Sequence, residues 1–475
     1  MTALSQAAYR AADIRAVEAR AAERYGLAGT DLMERAGDAA FALLRARWPD
    51  ARSVTVLAGP GNNGGDGRVV ARLAAMAGFS VTLVAADSIA ARGPLPQVLG
   101  DVDVIVDALF GIGLNRAPDG ATASCIEAMN AHRAPVLALD IPSGLHADDG
   151  TAPGAVVCAD ATITFLAAKR GLFTADGPRC CGRVIVADLG VPAGAFDGCT
   201  PVATLVETGF AARALGPRAT DAHKGRCGHV LVIGGRSGMS GAARLAGEAA
   251  LRCGAGLVSI AAAPGSAAAI GAGRPELMVH ECANADALVP LLERASVIAL
   301  GPGLGTDAWA QAMTGIAFRA GVPVVVDADA LNLLAASPFR RTDWILTPHP
   351  GEAARLLGRP VPELMADRFG TVEALVERTG GVVVLKGAAT IVGVPDSTPY
   401  IITAGNPGMA SGGMGDLLTG VIAALRAQGL DAATAACAGA QVHAEAGDAA
   451  AERFGARGMV ASDLFRALQR GVNGR

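Results

Sequence analysis

The sequence predicts an α/β protein of two consecutive units, each built on a mainly parallel sheet covered by helices. Three observations carry that reading. Short apolar runs alternate with longer, helically spaced segments. The alternation restarts after a linker around 206–222. The 475 residues are enough for two sizeable cores. The first unit is placed at 1–210 and the second at 211–475.

In the first unit, SVTVLAG (53–59), FSVTLVAAD (79–87), VDVIVDALFG (102–111), PVLALDIPSG (135–144) and ATITFLAAK (161–169) read as buried parallel strands. Helical spacing is clearest over 66–77 and 121–132. In the second unit the strand runs are HVLVIGG, GLVSIAAA, ASVIALG, VPVVVDADA, DWILTPH and VVVLKGA, with a helix over 240–253 and helical text after residue 416.

Composition narrows the function classes. The net charge is −4 and no Lys/Arg stripe occurs, so nucleic acid is not an expected partner. The nine cysteines are irregularly spaced and suit reduced thiols in a reducing compartment. The first 26 residues carry charges throughout and read as an amphipathic helix. The longest uncharged stretch, 254–273, is broken by Gly, Ser and Pro. The expectation is a cytoplasmic homo-oligomer with no membrane partner.

The first chemical constellation is GPGNNGGDG (59–67), between a strand and a helix. Gly59, Gly61 and Gly64 satisfy GxGxxG spacing, which lets backbone approach a phosphate at a helix N-terminus. Glycines serving turn geometry alone are the bland alternative. Asp87 stands where a ribose-binding acid belongs. Asp107, Asp140 and Lys169 end further strands, and several polar strand ends at one sheet edge suggest a site.

The second is GNPGMASGGMGDLLTG (405–420). Gly412, Gly413 and Gly415 leave backbone N–H groups free at a helix start, an anion hole for a transferring phosphoryl group. Asp416 is positioned to take a proton from a hydroxyl. Lys386, after VVVL, can meet nucleotide phosphate. His349 lies in the turn TPHPGE, and GPGLG (301–305) and SGMSGAA (237–243) allow close backbone approach. One of Asp327 and Asp329 is expected near metal or phosphate, without a choice between them.

These motifs carry resemblances. GPGNNGGDG, DALFGIG and DIPSGL make residues 10–205 similar to the NAD(P)H-hydrate epimerase family, whose fold is Rossmann-like with three layers. The resemblance implies that Asn62, Asn63, Gly64, Gly65 and Asp66 contact the hydrated dinucleotide. A second substrate loop would be Gly111, Ile112, Gly113, Leu114, Asn115, Arg116 and Ala117. It further implies that Asn63, Asp107 and Ser143 bind potassium and that Asp140 contacts the reacting substrate, as the candidate general acid/base.

Residues 223–470 resemble the ADP/ATP-dependent NAD(P)H-hydrate dehydratases, relatives of ribokinase-like kinases, through GGRSGMSGAA, GPGLG, VVDADALN, TPHPGE, LKGAAT and NPGMASGGMGDLLTG. That resemblance implies substrate contacts from Ala242, Gly303, His349 and Asp416. Lys386, Gly387, Ala388, Ala389, Thr390 and Gly415 would bind the adenine nucleotide, with Mg²⁺ and with ADP as co-substrate. The implied activity is repair of hydrated NADH and NADPH. The alternatives are a ribokinase-class small-molecule kinase with a Rossmann-like nucleotide-sensing domain, and a non-catalytic first half.

Overall fold

The structure is a computed structural model that describes residues 6–85, 99–114 and 116–474. Asp87 and Asn115 lie outside the described residues. The chain divides into two compact units, Met1–Thr204 and Leu205–Arg475.

The first unit opens with β1 (Ala7–Tyr9) and two helices, Ala11–Tyr25 and Gly29–Arg47. It continues through β2 (Ser53–Ala58), β3 (Ser80–Ala85), β4 (Val104–Ala108), β5 (Val136–Leu139), β6 (Ala161–Phe165), β7 (Ala168–Lys169) and β8 (Arg183–Ala187), and β9 (Ala203–Val206) runs across the boundary. Six strands form a parallel sheet in the order β3-β2-β4-β5-β6-β8. β1 pairs parallel with β7 and antiparallel with β9.

Strand alternation explains the layering. Val54, Val56, Val104, Val106, Leu137 and Leu139 pack on one face with Ala36, Ala40 and Leu44 of the helix Gly29–Arg47 and Val70 and Ala74 of the helix Asn62–Met76. Leu57, Ile105, Val136 and Ala138 pack on the other with Cys125, Ile126 and Met129 of the helix Gly120–Ala131. Two apolar faces per strand are what a sheet covered on both sides requires.

The second unit contains β10 (His229–Gly234), β11 (Leu257–Ala262), β12 (Met278–Glu281), β13 (Val297–Leu300), β14 (Val324–Val326), β15 (Ile345–Leu346), β16 (Val382–Leu385), β17 (Ile391–Gly393) and β18 (Tyr400–Ile402). Their order is β12-β11-β10-β13-β14-β15-β16-β17-β18. The pairs up to β16 are parallel, and β17 and β18 add antiparallel strands at one side. The helix Met414–Ala427 buries Leu417, Val421, Ile422 and Leu425 in the core. A Cβ at Gly420 would overlap the Ala246 carbonyl, so glycine lets this helix lie directly on the helix Ser240–Arg252.

Three local readings change. The helix expected over 66–77 begins four residues earlier, at Asn62, so the asparagines and glycines of the loop form its first turn. The run 161–169, read as one strand, breaks into β6 and β7 because Leu166 adopts a positive φ of 67°. The linker around 206–222 carries a short helix, Phe210–Leu215. Among the described residues, no helix is long and apolar enough to cross a membrane.

Candidate functional site

Each unit gathers its polar residues at the carboxyl edge of its sheet, where strands hand over to loops. In the first unit the turn after β2 is fixed by close backbone approach. A Cβ at Gly59 would overlap the Leu109 carbonyl, and one at Gly64 would overlap the Gly59 carbonyl. Glycine therefore lets the loops after β2 and β4 touch. Asn62 is exposed at the helix start, and Asn63, Gly64 and Asp66 are buried. Gly65 faces the Met33 side chain.

Asn63, Asp107 and Ser143 belong to one hydrogen-bonded network. The Ser143 hydroxyl donates to Asp107 Oδ1 at 2.6 Å, and the Ser143 amide donates to Asp107 Oδ2 at 2.8 Å. The Phe110 amide donates to Ser143 Oγ at 2.9 Å, and Asn63 Nδ2 donates to the Phe110 carbonyl at 2.9 Å. Burial pushes the Asp107 carboxyl up to about 6, against hydrogen bonds from Ser143 and Leu109 that favour its charge. Asn63 Oδ1 is buried with no hydrogen-bond partner. A buried orphan carbonyl oxygen beside a fully buried carboxylate and a hydroxyl fits a weakly hydrated monovalent cation.

Asp140, at a positive φ of 63°, follows β5. Its Oδ1 accepts from Lys169 Nζ at 2.6 Å, and Lys169 is wholly buried. Asp66 and Glu18 are carboxyls that couple to this pair. Burial, reinforced by Asp140, pushes Asp66 up to about 8 and raises Glu18. The loop after β4 holds Gly111, Ile112, Gly113, Leu114, Arg116 and Ala117. Gly113 and Arg116 are exposed, and the Ile112 carbonyl accepts from Arg15 at 2.9 Å.

In the second unit Lys386 follows β16 and donates to Asp327 Oδ1 at 2.7 Å, with Glu352 Oε2 at 3.8 Å. The Thr419 hydroxyl donates to Asp327 Oδ2 at 2.7 Å. A Cβ at Gly415 would stand 3.3 Å from Lys386 Nζ and 3.5 Å from Asp327 Oδ2, so the glycine-rich helix start lies against this pair. Asp416, in the first turn, is pushed up to about 7, first by burial and then by Asp327. Glu352 also rises to about 7, chiefly by burial. Burial and the Lys386 charge lower His349, whose Nδ1 accepts from the Gly351 amide at 2.9 Å. A neutral imidazole with Nδ1 so occupied carries its proton on Nε2, which lies 3.4 Å from Glu352 Oε1.

The remaining second-unit residues fall into two loops. Ala242 and Gly303 meet: a Cβ at Gly303, whose φ is 61°, would lie 3.2 Å from the Ala242 Cβ. Gly387, Ala388, Ala389 and Thr390 continue from Lys386 as a loop with Ala389 at a positive φ of 50°. Asp327 and Asp329 differ in their surroundings. Asp327 is buried against Lys386 and Thr419, whereas Asp329 accepts the Gly305 amide at 2.8 Å and fastens the GPGLG loop.

Several residues escape sequence reasoning as site members: Glu18, Glu352, Thr419 and Arg368; Lys169, expected only as a polar strand end at the sheet edge, is the buried partner of Asp140. Arg368 is buried and donates to the Ala388 carbonyl beneath the 386–390 loop. Only Glu352 carried a usable signal, as the last residue of TPHPGE. Its carboxylate accepts the His349 amide at 2.7 Å in a capping box. Among the described residues, no cluster of three or more His, Cys, Asp or Glu side chains could hold a metal ion unaided.

A two-unit α/β protein with a glycine-rich strand-to-helix loop at the sheet edge of one unit and a ribokinase-like fold in the other is the class that these elements define. A family model described as NAD(P)H-hydrate dehydratase matches residues 230–470, and one described as YjeF-related protein N-terminus matches 29–92 and 84–171. The bifunctional NAD(P)H-hydrate repair enzyme of Coxiella burnetii is 47% identical, over 98% of this chain and 99% of that one. Its Escherichia coli counterpart is 46% identical, over 97% of this chain and 93% of that one. A ribokinase-like superfamily protein from Enterococcus faecalis, of known structure, covers 57% of this chain and 95% of its own, at 28% identity and a TM-score of 0.52. The chain belongs to the family of bifunctional NAD(P)H-hydrate repair enzymes.

Proposed function

We propose that the chain repairs hydrated NADH and NADPH in two steps. The first unit interconverts the R and S epimers at C6 of the hydrated nicotinamide ring. The second dehydrates the S epimer with ADP, releasing AMP and phosphate. Together they drain both epimers into reduced nucleotide, which gives a physical reason for one chain to carry both. These substrates arise where reduced nicotinamide nucleotides are kept, and the reading includes a cytoplasmic enzyme.

In the second unit hydroxide is a poor leaving group, and phosphorylation of the C6 hydroxyl makes it a good one. Asp416 takes the hydroxyl proton, and the backbone amides at the start of the helix Met414–Ala427 receive the negative charge of the transferring phosphoryl group. Lys386 to Thr390 and Gly415 hold the nucleotide. Ala242, Gly303 and His349 line the hydrate side. Mg²⁺ would neutralise phosphate charge. Asp327, Glu352 and Asp416, whose charges all act on Lys386, are the carboxylates that would hold the ion, with phosphate oxygens and waters completing its shell.

In the first unit Asn62 to Asp66 and Gly111 to Ala117 bind the hydrated dinucleotide, and Asp140 exchanges the proton. Potassium held by Asn63, Asp107 and Ser143 would tie the loops after β2, β4 and β5 together; the unpartnered Asn63 Oδ1 supports it.

The observation that carries the reading is Asp416, lifted to about 7 in the first turn of a glycine-led helix against Lys386 and Asp327. The test is incubation with mixed NADPH-hydrate epimers, with and without ADP, followed by chromatography of both epimers and products. The expected result is epimer exchange without ADP, and restored NADPH with inorganic phosphate when ADP is added. A stable phosphorylated hydrate as end product would favour a ribokinase-type kinase instead.

A further inference from the structure

Lys169 ends β7 with its whole side chain buried, yet it follows a run that reads as plain strand. The break at Leu166 turns the chain back, so that the ammonium meets three acceptors. They are Asp140 Oδ1 at 2.6 Å, the Phe165 carbonyl at 2.7 Å and Thr164 Oγ1 at 2.9 Å. Three donors on an ammonium are thereby used up. Asp140 Oδ1 also accepts from Thr164 Oγ1 and from the Phe165 amide, each at 3.3 Å. Among the described residues, the hydrogen bonds to this carboxylate all fall on Oδ1. Oδ2 lies on the side of Gly111, 3.2 Å from where a Cβ on that residue would stand.

Both ends of this arrangement are strained. Asp140 and Leu166 are non-glycine residues at positive φ, 63° and 67°, each costing on the order of 1–3 kcal/mol. Such strain persists only where surrounding contacts over-determine it, and it clusters at functional sites.

We propose that Lys169 is a positioning residue for epimerisation: it saturates Asp140 Oδ1 and leaves Oδ2 as the base that meets the substrate. This rests on the epimerase reading of the first unit. C6 of the hydrate carries both the hydroxyl and the ring nitrogen N1. Oδ2 takes the hydroxyl proton as the C6–N1 bond pair passes to N1, and the same proton then moves from Oδ2 to N1. The product is the ring-opened aldehyde, an isomer of the substrate. Rotation about C5–C6 and the reverse steps close the ring on its other face, and no co-reactant is consumed.

The titratable groups facing Asp140 are Glu18 from the helix Ala11–Tyr25, Asp66 from the helix Asn62–Met76 and Lys169 from β7, with Arg15 acting on Glu18. Lys169 is the cation in direct contact with the carboxylate, and its loss leaves three carboxyls facing one another. The acid form of Asp140 is then favoured to higher pH.

The experiment measures epimer exchange by the full chain without ADP, as a function of pH, for wild type, Lys169→Met and Lys169→Arg. Lys169→Met is expected to lower kcat near neutral pH by about tenfold or more with KM within about twofold. Its acid limb moves to higher pH, so part of the rate returns in alkali. Lys169→Arg keeps the charge and retains more of the rate. A wild-type profile in Lys169→Met overturns the proposal, and so does an equal loss at every pH with no rescue by arginine. If Lys169→Met fails to fold, Thr164→Val is read instead. It removes one hydroxyl from the pair, and an unchanged rate and profile overturns the proposal. Absence of exchange by the wild-type chain refutes the epimerase reading itself and is thereby distinguished from failure of the lysine's role.

Discussion

Replacing Asp416 by asparagine should abolish dehydratase turnover and make the second unit more stable. In the folded chain the carboxyl is pushed from 3.8 to about 7, first by burial and then by Asp327. Such a change favours the neutral form by ~4 kcal/mol, which partial exposure and solvent screening reduce to ~1–2 kcal/mol. Its place in the first turn of a helix favours the charge by only ~0.3–1 kcal/mol, too little to reverse the sign. A raised carboxyl value means that the folded state holds the proton more tightly than the unfolded one. The wild type is therefore penalised fully above about pH 7, and the penalty fades as pH falls toward 3.8. Asp416→Asn carries no such charge, so its advantage is largest at pH 8 and closes below about pH 4. Scanning calorimetry of the full chain reads this in the transition that moves when ADP is added. A variant no more stable at pH 8, or one whose gain is the same at every pH, would refute the electrostatic reasoning.

Three further outcomes are expected. The dehydratase kcat/KM, which reports the free enzyme, should fall ~10-fold per pH unit below about pH 7 as Asp416 takes up its proton; a flat profile from pH 5.5 to 7.5 would exclude it as the base. Gly59→Ala should destabilise the first unit by ~1–3 kcal/mol, because the added methyl overlaps the Leu109 carbonyl, and should remove epimer exchange while leaving dehydratase rates intact. Exchanging potassium for tetramethylammonium should slow epimer exchange in wild type but not in Asn63→Leu, which has no orphan oxygen to satisfy; an equal response in both would rule out Asn63 as a ligand.

The sequence showed these sites to different depths for physical reasons. Gly412 to Asp416 were readable because glycines, a following apolar period and a strand-rich context all point to a helix start. The loop after β2 was readable on the same grounds, although its helix begins at Asn62 and not at 66. Lys169 was readable only as one more polar strand end at the sheet edge, not as the buried partner of Asp140. An apolar run ending in lysine reads as a strand whose last residue snorkels to solvent, and the break at Leu166 depends on tertiary contacts. Asp327 and Asp329 lie two residues apart at a helix start, so local propensity treats them alike. Only the packing of β14 beside β13 and β15 sends one to Lys386 and the other to the Gly305 amide. β17 and β18, three residues each, are too short to show a period.

The two units share one electrostatic plan, and it bears on why each carries a lysine. In both, a glycine-rich loop opens a helix whose early aspartate sits near neutrality, Asp66 at about 8 and Asp416 at about 7. In both, a lysine from another strand end is paired with a second aspartate, Lys169 with Asp140 and Lys386 with Asp327. The pairing differs in reach. Lys169 is sealed, its side chain 1% exposed, while that of Lys386 is 20% exposed. A sealed ammonium can orient a carboxylate but cannot meet a ligand, whereas a partly open one can do both. That difference matches the chemistry each unit is asked to perform. Moving one proton within a substrate needs a fixed base and no anion holder; moving a phosphoryl group needs a cation that the nucleotide can reach. Lys386→Met should therefore weaken ADP binding as well as turnover, while Lys169→Met should leave substrate binding in the first unit near its wild-type value. Weakened substrate binding in both variants would break the distinction.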